Sequence, residues 1–114
     1  MVNTRSKGRK AESEFKKILL NRGYSNALIE RAPGSTAFNE RVDLFGMFDL
    51  IAFKDGSIFC YQVKCNRTAG APKAIKAWRK EHSKDLPKKL KCFVVVRLDN
   101  KRKQEERWRE IEVI

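Results

Sequence analysis

At 114 residues the chain has the length of one compact domain, spanning 1–114, that can bury a core without disulfides or a structural metal. Twenty-six Lys and Arg oppose fourteen Asp and Glu, a formal net charge of +12 that draws the protein to polyanions through counterion release. No apolar run reaches transmembrane length, and no stretch joins basic residues to a wide apolar helical face, so membrane roles are disfavoured and nucleic acid is the expected partner.

The segment Lys7 to Arg22 predicts a helix, because Ala11, Phe15, Ile18 and Leu19 recur at helical spacing and Gly23 follows as a stop. Glu12 falls at the border of that apolar stripe. A carboxylate there either looks into a cleft or stays solvated in the first turn, favoured by the helix dipole. Ser25 to Arg31 reads as a short strand, Ala32-Pro33-Gly34-Ser35 as a turn, and the stretch through Phe38-Asn39-Glu40-Arg41 as a loop.

Met47 to Phe53 predicts a strand, which Lys54-Asp55-Gly56 turns back as a hairpin onto Ser57 to Cys65. Alternation along the second strand puts Ile58, Cys60, Gln62 and Lys64 on one face and Phe59, Tyr61 and Val63 on the other. After a polar loop from Asn66 to Ala71, Pro72 to His82 predicts a second helix. Its apolar stripe carries Ala71, Ile75, Trp78 and His82, with Lys73, Lys76, Arg79 and Lys80 around the rest. Lys91 to Leu98 is a strand whose centre, Phe93-Val94-Val95-Val96, reads as buried on both faces. The β-branched ending makes Trp108 to Ile114 a final strand.

Cys60, Cys65 and Cys92 are odd in number and lack the paired spacing of a zinc site; Cys60 and Cys92 read as small buried residues. Trp78 and Trp108 read as core rather than as platforms for bases. The free thiols, and the absence of a signal-peptide core after the basic Met1 to Lys10, point to a reducing compartment inside the cell, the cytoplasm.

Chemistry concentrates at the hairpin. Asp49 begins the polar side of an otherwise apolar strand, and Gln62 and Lys64 share a face of the next. A carboxylate, a second oxygen donor and an ammonium at one end of a sheet are the equipment for magnesium-assisted phosphodiester hydrolysis. Magnesium is hard and needs only one or two protein oxygens, with water and phosphate completing its shell. The metal acidifies a bound water, while a lysine orients that water or offsets charge in the transition state. The plain structural alternatives are an Asp49–Lys64 ion pair and a Gln62 side chain that merely bonds a neighbouring backbone.

The pieces Phe48-Asp49-Leu50-Ile51-Ala52 and Tyr61-Gln62-Val63-Lys64 resemble the PD-(D/E)-x-K nuclease superfamily, whose hallmark is an acid in one strand and acid-x-Lys in the next. Along nearly its whole length the chain looks like the archaeal Holliday junction resolvases of that superfamily. Lys7-Gly8-Arg9-Lys10-Ala11-Glu12-Ser13-Glu14 is similar to their opening helix, Arg31-Ala32-Pro33-Gly34-Ser35 to their Arg-x-x-Gly-Ser segment, and Arg107 to Val113 to their last core strand.

The resemblance implies an α/β fold with a restriction-endonuclease-like αβββαβ core, its central mixed sheet flanked by helices. It implies a Mg2+-dependent (or Mn2+-dependent) endonuclease that cuts branched DNA in recombination and repair as a homodimer. Glu12, Asp49, Gln62 and Lys64 would be catalytic, with the metal held by Asp49 and Gln62 and supported by Glu12 and the Val63 carbonyl. Arg9, Lys10, Arg31, Ser35 and Arg67 are the candidate nucleic-acid contacts. Two departures stand out. Gln62 replaces the second acid and removes one negative charge, and an insertion over 36–48 carries a further acid, Asp43. Asp49 is preferred to Asp43 because Leu50-Ile51-Ala52 follows it and the short hairpin leads to Gln62. The alternatives are another structure-specific or restriction-like nuclease of this superfamily, and a non-catalytic nucleic-acid-binding module of the same fold.

Overall fold

The computed structural model describes residues 4–28, 47–68, 70–99 and 107–114. The first helix, α1, spans Thr4–Asn21 and buries Ala11, Phe15 and Leu19 completely. It begins three residues before the expected Lys7, since apolar spacing cannot register a first turn that has no apolar residue. Its end follows from Gly23, whose φ of +89° lets the chain reverse. The Gly23 amide donates to the Leu20 carbonyl and the Tyr24 amide to that of Leu19, at 3.1 and 3.0 Å. This pair of bonds is a Schellman cap, and Tyr24 packs back into the cluster that contains Leu19.

Five strands form one mixed sheet in the order β1-β2-β3-β4-β5. They are β1 (Ser25–Leu28), β2 (Leu50–Lys54), β3 (Ser57–Cys65), β4 (Leu90–Arg97) and β5 (Trp108–Val113). Helix α2, Ala71–Glu81, connects β3 to β4, which therefore pair in parallel; the other neighbours are antiparallel. The expected αβββαβ core is present, extended by the closing strand β5. The β2–β3 hairpin closes Lys54 onto Ser57 through two residues with positive φ, Asp55 at +51° and Gly56 at +78°. That backbone matches the twist of the flanking strands.

The helices cover opposite faces. On the α1 face, Phe15 and Leu19 pack with Leu50, Ala52, Tyr61 and Val95. On the α2 face, Ala71 and Ile75 pack with Phe48, Cys60, Cys92, Val94, Val96 and Val113. Val94 and Val96 therefore face α2 while Val95 faces α1, as a centre buried on both sides requires. Trp78 packs against the α2-side core and Trp108 against the α1-side core. The ring of Phe15 lies 5.2 Å from that of Tyr61, and Tyr24 lies 5.1 Å from Phe59. Helix α1 thus runs antiparallel to β3, and its N-terminal half lies over the Cys65 end of the sheet.

The bounds of α2, β4 and β5 agree with the expectation to within one residue, and those nearer the candidate site depart further. Strand β2 begins at Leu50 rather than Met47, because regular pairing with β3 breaks at Asp49. Strand β1 is described to Leu28, so the remainder of the expected Ser25 to Arg31 strand, with Arg31 itself, Ser35 and the 36–48 insertion up to residue 46, lies outside the described residues. Among the described residues no helix is long and apolar enough to cross a membrane.

Candidate active site

Phe48 and Ile51 both pack into the α2-side core, although three residues of strict alternation would send them to opposite faces. The break lies at Asp49. Leu50 is paired with Tyr61, yet the Tyr61 carbonyl accepts the amide of Asp49, one residue out of register, at 2.8 Å. The freed position is used by the side chain. The amide of Val63 donates to Asp49 Oδ2 at 2.9 Å, so a carboxylate serves where the ladder would ordinarily use a carbonyl. Asp49 is 9% exposed and is the buried charged residue among those described. A buried carboxylate needs hydrogen-bond donors or a cation to hold it.

Val63 lies between Gln62 and Lys64, so the Asp49 carboxylate is fixed beside the peptide that joins Gln62 to Val63. Gln62 and Lys64 are half-buried and by alternation share the β3 face that carries Cys60, toward α2. Val63 packs its side chain on the α1 face. Its carbonyl leaves the strand on the same edge as the amide that meets Asp49, as β geometry demands. Glu12 is half-buried on α1, one residue beyond the buried Ala11 and one turn before Phe15. It therefore stands at the same end of the sheet as Asp49 but on the opposite face from Gln62 and Lys64.

Arg9 and Lys10 are exposed on the N-terminal half of α1, and Arg67 is exposed just beyond β3, so all three cations edge this end of the sheet. Among the described residues no three His, Cys, Asp or Glu side chains cluster to hold a metal ion. The donors at this end of the hairpin are hard oxygens: the Asp49 carboxylate, the Gln62 amide oxygen and the Val63 carbonyl, while Glu12 stands on the other face of the sheet. That set fits magnesium, which is satisfied by one or two carboxylates and otherwise by water and phosphate, and it does not suit a soft metal.

One network at this end escaped the sequence reading. The Asn66 side chain and Asp99 bond reciprocally, Nδ2 to Oδ2 at 3.1 Å and the Asp99 amide to Oδ1 at 2.9 Å. Arg97 Nε lies 3.4 Å from both Glu14 of α1 and Asp99. The guanidinium thus ties the middle of α1, around Glu14, to the strand ends next to Lys64 and Cys65. The available signal was Asn66 directly after a strand, a residue that tolerates the left-handed backbone it adopts at φ +66°.

Cys60 and Cys92 are no nucleophiles for this site. Burial pushes the Cys60 thiol up to about 12, and burial likewise raises Cys92, its partner across the parallel register. Arg79 Nη1 donates to Cys92 Sγ at 3.2 Å. Both thiols stay protonated at neutral pH and serve as core.

No family model and no curated sequence matches the chain. Among solved structures, the chain is similar to Hjc, a Holliday junction resolvase from the archaeal hyperthermophile Archaeoglobus fulgidus, with a TM-score of 0.57. The fold is resolvase-like. The match covers 93% of this chain and 77% of the archaeal one at 15% sequence identity, so what the two share is the arrangement of the helices and the sheet.

Proposed function

We propose that the protein is a metal-dependent endonuclease that cuts phosphodiester bonds in branched DNA, as a resolvase of four-way junctions acting as a homodimer. The observation that carries this reading is the Asp49 carboxylate held on the Val63 amide, between Gln62 and Lys64, at a break in the β2–β3 ladder. A buried acid stationed where the ladder has been interrupted stabilises the sheet less than an unbroken strand would. A role in chemistry at that point would account for an acid there.

In this reading Asp49 and Gln62 present oxygens to a divalent ion, magnesium or manganese, with the Val63 carbonyl and Glu12 as supporting donors. When bound, such an ion supplies acidification of a water and neutralisation of phosphate charge. The Val63 amide keeps the Asp49 carboxylate from rotating away. Lys64 would orient the attacking water by hydrogen bonding and offset the negative charge that grows on the phosphate. Arg9, Lys10 and Arg67, with Arg31 and Ser35, hold flanking phosphates and set the register of the DNA.

Incubating the protein in magnesium with four-way junctions, forks, flaps and linear duplex tests this reading. Paired nicks confined to the junction are expected. Equal cutting of every substrate would replace the resolvase with a less selective nuclease of the same fold. Gln62 favours a second reading, because the position where this type of site carries a second acid has lost its charge: a non-catalytic DNA-binding module. Salt-sensitive binding to all of these DNAs with no cleavage would establish that reading instead.

A further inference from the structure

The outer face of α2 carries a second cationic surface that the candidate active site does not use. Ala71, Ile75 and Trp78 turn inward to the sheet. On the opposite side Lys73, Lys76 and Lys80 are exposed within about 60° of one another around the helix axis, with the exposed Ala74 and Ala77 beside them. The lysines extend over about 10 Å of the axis, the length of about three nucleotides along one strand of duplex DNA. The alanines leave the flank of the lysine face low, so a bulky polyanion can approach the helix from that side.

Arg79 and Lys80 in the last turn suit the helix dipole, but the other charges on α2 work against the helix's own stability. Its first turn holds no acid and carries Lys73, at the end where the dipole favours anions. Lys76 and Lys80 stand one turn apart as a like-charged pair. The helix's one acid, Glu81, comes at the C-terminal end, where the dipole disfavours it. Rules broken together, on one exposed face and with no compensating intrahelical pair, point to a partner that supplies the missing negative charge.

We infer that the Lys73–Lys76–Lys80 face of α2 is a track for the phosphate backbone of duplex DNA, continuing the path of a strand beyond the candidate active site. Helix α2 begins after the short loop 66–70 that leaves β3 just past Lys64, so the track starts at the site and leads away from it along the sheet. A second copy of this chain is a poor occupant. A two-fold interface would set the lysine face against itself. An anionic membrane gains charge contacts alone, because the apolar stripe of α2 is already buried in the core. The inference rests on the DNA-binding part of the proposed function and not on cleavage.

The test is binding of a fluorescent linear duplex to the full chain without divalent metal, across a salt titration. The variant Lys73→Gln/Lys76→Gln/Lys80→Gln is compared with a charge-matched control, Lys16→Gln/Lys17→Gln/Lys91→Gln, on the α1 side. Loss of three phosphate contacts flattens the slope of log affinity against log salt by about 2 to 3. The control is expected to leave the slope within about one of the wild type. Ala77→Glu supplies an independent arm. It keeps every lysine and places a carboxylate one turn from Lys73 and beside Lys76 and Lys80, so it should weaken DNA binding without removing a cation. Equal slopes for the two triple variants, or an unchanged affinity for Ala77→Glu, would overturn the track. So would tighter α2-dependent binding to vesicles of equal parts phosphatidylserine and phosphatidylcholine than to duplex. A protein that cuts no DNA yet binds it through these lysines retains this inference and loses the nuclease reading; one that cuts junctions with the α2 lysines removed and unchanged affinity does the reverse.

Discussion

The carboxylate of Asp49 accepts the backbone amide of Val63 at 2.9 Å, so a side chain completes the β2–β3 ladder at the point where strand pairing slips. One residue therefore has two separable duties, one in the sheet and one in the proposed chemistry. Asp49→Ala leaves the Val63 amide without its acceptor and should lower stability by about 1–3 kcal/mol in urea unfolding. Asp49→Asn retains an amide oxygen for the same bond and should cost less than about 1 kcal/mol. Both should abolish metal-dependent cleavage. Full activity in the folded Asn variant would leave Asp49 a structural residue only.

Gln62→Glu restores a negative charge beside Asp49. Magnesium affinity measured by calorimetric titration should rise by about tenfold, the effect of one added carboxylate within a few ångströms at a partly solvated site. An unchanged isotherm would remove Gln62 from the set of ligands.

Arg97 joins α1 to the strand ends through Glu14 and Asp99, with its own side chain 13% exposed. Arg97→Met keeps most of the packing and leaves the two carboxylates without their shared cation. A loss of about 1–2 kcal/mol is expected, since both acids remain partly solvated. Combining it with Glu14→Gln should cost less than the sum of the single changes. Strict additivity would mean that the contact contributes nothing.

The buried thiols give a pH dependence of definite sign. Cys60 holds its proton to about 12 in the folded protein, against an ordinary value of 9.0, and Cys92 is raised in the same direction. The unfolded chain therefore loses these protons first. The stabilisation is complete below pH 9.0 and is lost as pH climbs toward 12, at about 1.4 kcal/mol per pH unit for a fully buried thiol. Thermal unfolding of Cys60→Ala should show a shallower alkaline decline than the wild type over that window. Identical slopes would place the alkaline lability elsewhere.

Periodicity made most of the scaffold legible. The alternation in Ser57 to Cys65 assigned Ile58 and Cys60 to one face and Phe59, Tyr61 and Val63 to the other, and Lys54-Asp55-Gly56 named the hairpin, because both depend on local rules. The slip at Asp49 was not legible. It is set by competition between a backbone carbonyl and a side chain for one amide, and no spacing of apolar residues encodes that. Glu12 shows a related limit: helical spacing put it at the edge of the buried stripe, but which face of the sheet it approaches depends on how α1 crosses β3. The Arg97 network was invisible for the same reason, since it joins residues of α1, β3 and β4 that meet only in the folded chain. Arg31 and Ser35 were singled out through a motif and lie outside the described residues.

The decisive measurement is single-turnover cleavage of a synthetic four-way junction, comparing the wild type with Asp49→Asn at saturating protein and with magnesium added last. Junctions should be bound equally by both proteins, nicked by the wild type only after magnesium arrives, and left intact by the variant. Cleavage by Asp49→Asn at the wild-type rate, or cleavage by the wild type in a chelator, would contradict metal-dependent cleavage through Asp49.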